Sequence, residues 1–191
     1  MDIYQIIMIH NRMWSVREIA VFAVIAVIVL KVLVHLFRNG KIQLSQAVAA
    51  MLLAFFLGIV FGSTVFTRTA TTQQYELIPL WSWREVILHH DTDLLQEDLL
   101  NCILLMPAGI LLPVIAGHKI KLRTAFAIGF LISAVIETSQ LIFMRGLFEW
   151  DDMIHNGLGC LAGCAGMNWW GGRLGRNKKF GRFIFDSKCN R

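Results

Sequence analysis

The chain has 191 residues, is 56% hydrophobic and only 16% charged, and carries a formal net charge of +5. Its apolar residues fall in long unbroken runs rather than at amphipathic spacing, which excludes an ordinary soluble domain and fits a helical membrane protein. Cys102, Cys160 and Cys164 lie inside those runs and Cys189 in a basic tail, so all four read as unpaired small residues rather than disulfides.

The N-terminal segment MDIYQIIMIHNRMWSVRE has no basic stretch ahead of a short apolar core, so the first long apolar run is expected to stay as a membrane helix rather than be cleaved. The runs predict an all-α, polytopic membrane helix bundle of about five transmembrane helices, over 19–37, 43–66, 99–116, 123–143 and 152–170. The third is the shortest and contains Pro107 and Pro113. Membrane helices tolerate proline where neighbours satisfy the freed carbonyls. Gly58/Gly62 and Gly159/Gly163 form GxxxG pairs, read as packing within the chain rather than dimerisation. Between the second and third spans, Trp81, Trp83, Val86, Ile87 and Leu88 suggest a short interfacial helix that can serve as a lid. His89, His90, Asp91 and Asp93 nearby are metal-ligand types without recognised ligand spacing, so a solvated loop is favoured and no metal or cofactor is expected.

Positive charge sets an expected direction. Arg38, Lys41, Lys119, Lys121, Arg123 and the tail residues Arg173, Arg176, Lys178, Lys179, Arg182, Lys188 and Arg191 share one side of a five-span chain. That side is expected to be cytoplasmic, with the N-terminus outside and the C-terminus inside. Lys31 lies six residues before the inner end of its helix and can snorkel to the headgroups as an anchor. The tail interleaves Arg and Lys with Phe180, Phe183 and Phe185, and beside a membrane it reads as lipid-facing rather than as a nucleic-acid site. The organisation is therefore 1–64 as an N-terminal region with two spans, 65–170 as a core, and 171–191 as a basic tail.

Polar residues gather at the outer ends of the last three spans. Glu97 and Asn101 are four apart, Glu137 and Gln140 three apart, and Asp152 and Asn156 four apart, so each pair shares a helix face. At the helical rise, Asn101, Glu137 and Asn156 should meet at similar depth. Arg145 and Asp151–Asp152 flank the turn GLFEW and are expected to form an ion pair. The bland reading is a buried network that fixes helix register. More polar groups converge than packing needs, however, and ionisable groups within a membrane are expensive, so a functional pocket is favoured.

At these residues the chain resembles the VanZ-like family of bacterial membrane proteins. The likeness rests on Arg68 with ELIPL at 76–80, on EDLLNCILLMPAGILLP at 97–113, and on IETSQLIFMRGLFEWDDMIHNGLGCLAG at 136–163. Leu80 stands where the family commonly has Phe, and Glu149–Trp150 replaces the more usual Asp-hydrophobic pair. The resemblance implies a multi-pass protein of the bacterial cell membrane that can lower susceptibility to teicoplanin-type lipoglycopeptides. The polar site supports two expectations, and a third function is weighed against them. The first is a site binding a lipid-linked cell-wall precursor or a lipoglycopeptide, with Arg68 and Arg145 suited to phosphate. The second is a membrane enzyme on such a lipid, with Glu137 as general base and Asp151, Asp152 or Glu97 assisting. A transporter is disfavoured, because the inner halves of the last three spans are nearly all apolar.

Overall fold

A computed structural model describes residues 14–68 and 74–174. Helix α1 spans Val16–Arg38 and begins at a capping box, in which Ser15 Oγ accepts from Glu18 N–H and the Glu18 carboxylate accepts from Ser15 N–H. Helix α2, Leu44–Phe61, runs into a π turn over Gly62–Phe66. A short helix α3 covers Trp81–His89, in the segment where an interfacial helix is expected. Helix α4, Thr92–Leu104, and helix α5, Met106–Ala116, form one rod with a break at Leu105. Helix α6 covers Leu122–Phe143 and helix α7 Trp150–Leu174.

Four rods are long and apolar enough to cross a membrane: Val16–Arg38, Leu44–Phe66, Thr92–Ala116 and Leu122–Phe143. The all-α bundle expected from the sequence is thus the observed class, with two departures. The third span starts at Thr92 rather than 99, because Asp91 caps it through the N–H groups of Asp93 and Leu94, and this brings Glu97 and Asp98 inside the helix. The fifth rod, α7, is 25 residues long but is absent from that apolar set. It packs on α4, α5 and α6, so its polar residues face protein rather than lipid.

Close approach to α7 depends on glycine. A Cβ on Gly159 would run into the Cys102 carbonyl of α4, and one on Gly109 of α5 into the Cys160 carbonyl of α7. Both GxxxG pairs are used inside the chain, since Gly58 lies under Phe22 of α1 and Gly62 under Trp14 just before that helix. Strand β1, Gln74–Glu76, pairs in parallel with strand β2, Leu147–Glu149, in the register Gln74↔Leu147, Tyr75↔Phe148 and Glu76↔Glu149. Two three-residue strands carry too little alternation to be read from sequence. They fasten the loop before α3 to the turn between α6 and α7.

Charge separates along the bundle. The turn after α1 and the turn between α5 and α6 lie at one end, where Gln46 donates to the Ile115 carbonyl at 3.0 Å and Asn168 to the Ile120 carbonyl at 2.8 Å. Arg38, Lys41, Lys119, Lys121 and Arg123 belong to this end, and Arg173 stacks on Trp169 with its guanidinium carbon 4.0 Å from the ring centre. The tail residues from 175 onward lie outside the described residues. The opposite end holds the carboxylates.

Candidate functional site

Asp151 opens α7 with its side chain buried, yet it does not pair with Arg145. It accepts from the N–H of Leu80, from Ser82 N–H at 2.9 Å and from Ser82 Oγ at 2.8 Å. The first amides of α3 have no carbonyl partner within their own helix, and a carboxylate satisfies them better than water can in a buried corner. Leu80 itself sits in the left-handed region at φ 63°, a conformation costly for a branched residue and held here by Asp151. Arg145 is occupied elsewhere, donating to the carbonyls of Phe66 and Arg68. The end of the π turn leaves these carbonyls open, so the expected ion pair gives way to two separate tethers. Gln140 makes a third tether, from Nε2 to the Thr64 carbonyl at 3.2 Å.

The remaining candidates converge in two tiers. In the upper tier Asn101 of α4 donates to the Asp152 carboxylate, and Glu137 of α6 accepts from Glu149 N–H at 3.3 Å. One turn below, Asn156 donates to Ser133 Oγ at 2.9 Å, and Ser133 Oγ donates to the Asp152 carbonyl at 3.4 Å. Asn101 therefore meets Asp152 rather than Asn156, and Ser133 links the tiers. The guanidinium of Arg68 lies within electrostatic reach of Glu97, Glu137 and Asp152. A Cβ on Gly146 would come within 2.8 Å of Arg68 Nη1 and 3.1 Å of Gln140 Oε1, which locates the guanidinium across this glycine. Glu97 is exposed at the edge of this cluster.

Burial, together with the charge of Asp152, lifts the carboxyl of Glu149 in the turn between α6 and α7 to about 7. This group can exchange a proton near neutral pH. In the sequence Glu149 stands out only as a family departure and Trp83 only as part of an interfacial helix, while Ser82, Asp98 and Ser133 are not singled out. Asp98 lies 3.3 Å from His155 Nδ1, and His155 Nε2 accepts from Trp83 Nε1 at 2.7 Å. Since an indole N–H only donates, the imidazole proton sits on Nδ1, facing Asp98. The signal was present in the spacing: Asp98, Asn101 and Leu105 follow a helical stripe turned inward, while Leu99, Leu100 and Ile103 point out. Among the described residues no group of three His, Cys, Asp or Glu is arranged to hold a metal. Asp91 serves as the cap of α4, and His89 lies 3.4 Å from Glu85.

The Arg68, Asn101, Glu137 and Asp152 constellation sits within the stretch matched by a family model. The model described as VanZ/LLP1 matches residues 44–171. The chain belongs to the VanZ/LLP1 family. Neither curated proteins nor solved structures yield a match. The matched stretch includes α2 as well as the polar core and leaves α1 outside. Membership, with the four apolar rods, makes this a multi-pass membrane protein.

Proposed function

We propose that this VanZ/LLP1 protein acts in the bacterial cell envelope, where its polar cleft binds the head of a lipid-linked precursor or a lipidated glycopeptide and thereby lowers susceptibility to teicoplanin-type compounds. The observation that carries the reading is the setting of the Asn101–Asp152 contact. It lies beside Glu97 at the edge of the cluster, on a helix whose Leu99, Leu100 and Ile103 are exposed. Such a cleft accepts a hydroxyl- or amine-rich head sideways while the ligand's hydrocarbon stays against the apolar face. Oxygen acceptors dominate it. Arg145 is engaged by backbone carbonyls, so Arg68 is the guanidinium left to face an anionic group on the ligand. The basic end then faces the cytoplasm and the cleft the outer leaflet, in line with the excess of Lys and Arg on one side.

In a bacterial host expressing the protein, Asn101→Ala should remove most of the protection against teicoplanin at unchanged membrane abundance, since a charge-assisted hydrogen bond is worth about 1.5–3 kcal/mol. Full protection by that variant would detach the cleft from the function. A second reading, an enzyme acting on a lipid-linked precursor, draws support from Glu149, whose carboxyl at about 7 lies next to Glu137. Asp151 is committed to α3, so acid and base roles would fall to Glu137, Asp152 and Glu149. A chemically altered precursor formed by wild-type protein and not by Glu137→Gln would favour this reading over simple binding.

A further inference from the structure

The outward face of α1 carries a cluster of basic side chains at the end of the bundle opposite the carboxylates. Phe22, Ala26, Val29, Leu33 and Leu36 make the partly buried stripe that packs toward α2. Lys31, His35 and Arg38 follow each other at intervals of four and three residues on the opposite face, so they project together away from the protein. With Leu30, Val34 and Asn39 they line a shallow depression of roughly 660 Å³. Asn39 Nδ2 lies 2.9 Å from His35 Nε2, which holds the imidazole at the rim between the two cations.

Among the described residues, Lys31 and Arg38 have no ion-pair partner. The sequence contains no Asp or Glu between Glu18 and Glu76, none between Asp98 and Glu137, and none between Asp152 and Asp186. Glu18 belongs to the first turn of α1, more than 20 Å from Arg38 at about 1.5 Å per residue. Among the described residues, the basic end is therefore without a carboxylate, and Lys31 and Arg38 are left facing outward to an anionic partner. Two features select its form. The lining alternates basic heads with Leu30 and Val34, and Val24, Val27 and Ile28 continue the exposed apolar track up the same helix. A headgroup phosphate at Lys31, His35 and Arg38 with an acyl chain along Val27 and Val24 satisfies both the charge and the hydrocarbon.

We propose that this face of α1 is a binding site for an anionic phospholipid, its phosphate held by Lys31 and Arg38 with His35 between them. A single snorkelling lysine would anchor the helix in any headgroup layer. Two full cations and an imidazole converging on one depression instead discriminate between lipids of different charge.

The test uses the full chain reconstituted in mixed phosphatidylcholine and phosphatidylglycerol vesicles, extracted in mild detergent, with retained lipid measured by mass spectrometry. The wild type should retain phosphatidylglycerol above its proportion in the vesicles, and Lys31→Gln/Arg38→Gln should reduce that excess roughly thirtyfold, given the attraction of two basic groups. Lys119→Gln/Lys121→Gln, which removes equal charge from the loop between α5 and α6 at the same end, should leave the excess in place. No excess in the wild type, an undiminished excess in the α1 variant, or an equal loss in the loop variant would each overturn the site. The outcome is independent of the teicoplanin assay, which reads the opposite end of the bundle.

Discussion

At one end of the bundle Asp98, Glu137, Asp151, His155 and Asn156 are buried among α4, α6 and α7, while at the other end Lys31, Arg38, Lys41 and Lys121 stand exposed with no carboxylate near them in the described chain. The first group is bound into the fold by short hydrogen-bonded routes, from Asp151 to the start of α3, from Asn156 through Ser133 to Asp152, and from Trp83 to His155, whose Nδ1 lies 3.3 Å from Asp98. The second group makes few contacts within the chain. Charge at the first end is therefore a condition of structure, whereas charge at the second is available to the surroundings. The same residue types differ in meaning because desolvation forces a partner only where water is excluded.

This contrast is most directly broken at Asp151. Asp151→Ala removes the acceptor of three donors at the start of α3 and releases the left-handed turn at Leu80. The expected loss is about 3 kcal/mol or more, as for a broken buried charge network. Equilibrium unfolding in detergent should show the loss, and amide exchange should rise first in Trp81–His89. Asp151→Asn keeps an acceptor and should recover part of the stability. If Asp151→Ala unfolded with wild-type stability, the carboxylate would not hold α3 and the distinction between the two ends would weaken.

A smaller effect comes from Glu149, which borders the buried end without being sealed in it. Its carboxyl titrates at about 7 in the folded protein against an ordinary value of 4.5. The folded state thus holds a proton that the unfolded chain has released between these values. Stability from this group is fully present below 4.5 and is lost as pH rises through 7. Unfolding followed across that window should show a decline with rising pH in the wild type and a flatter profile in Glu149→Gln. Equal slopes would mean that Glu149 is solvated and that the polar end is more open than its contacts indicate.

How far each end can be read from sequence follows the same division. The rods and the clustering of basic residues are legible because lipid imposes long apolar runs and leaves Lys and Arg to the termini. The candidate pocket was partly legible: Asn101, Glu137, Asp152 and Asn156 do converge, because helical spacing puts each on an inward face. The partners within it were not. Arg145 and Asp151 have opposite charges on one short turn, but each is drawn to backbone groups left open by remote elements, the π turn at Gly62–Phe66 and the start of α3. Such demands appear only after the chain has folded. Asp98 is hidden beside Glu97 for a related reason, since adjacent carboxylates look equivalent until one faces His155 and the other is exposed.

The smallest expected effect belongs to the basic end and sharpens the comparison from the other side. Lys31→Gln/Arg38→Gln leaves both side chains as exposed polar groups on a helix without buried residues, so the fold should change by less than about 0.5 kcal/mol. Unfolding in neutral detergent, where no anionic lipid is present, should therefore match the wild type within error. In vesicles containing phosphatidylglycerol the wild type alone should gain stability, because a ligand that binds only the folded state shifts unfolding by mass action. A variant destabilised equally in both media would show that these cations support the helix itself, in the way the carboxylates support the opposite end. A difference confined to anionic lipid would leave the two ends with separate roles, one spent within the fold and the other on the bilayer.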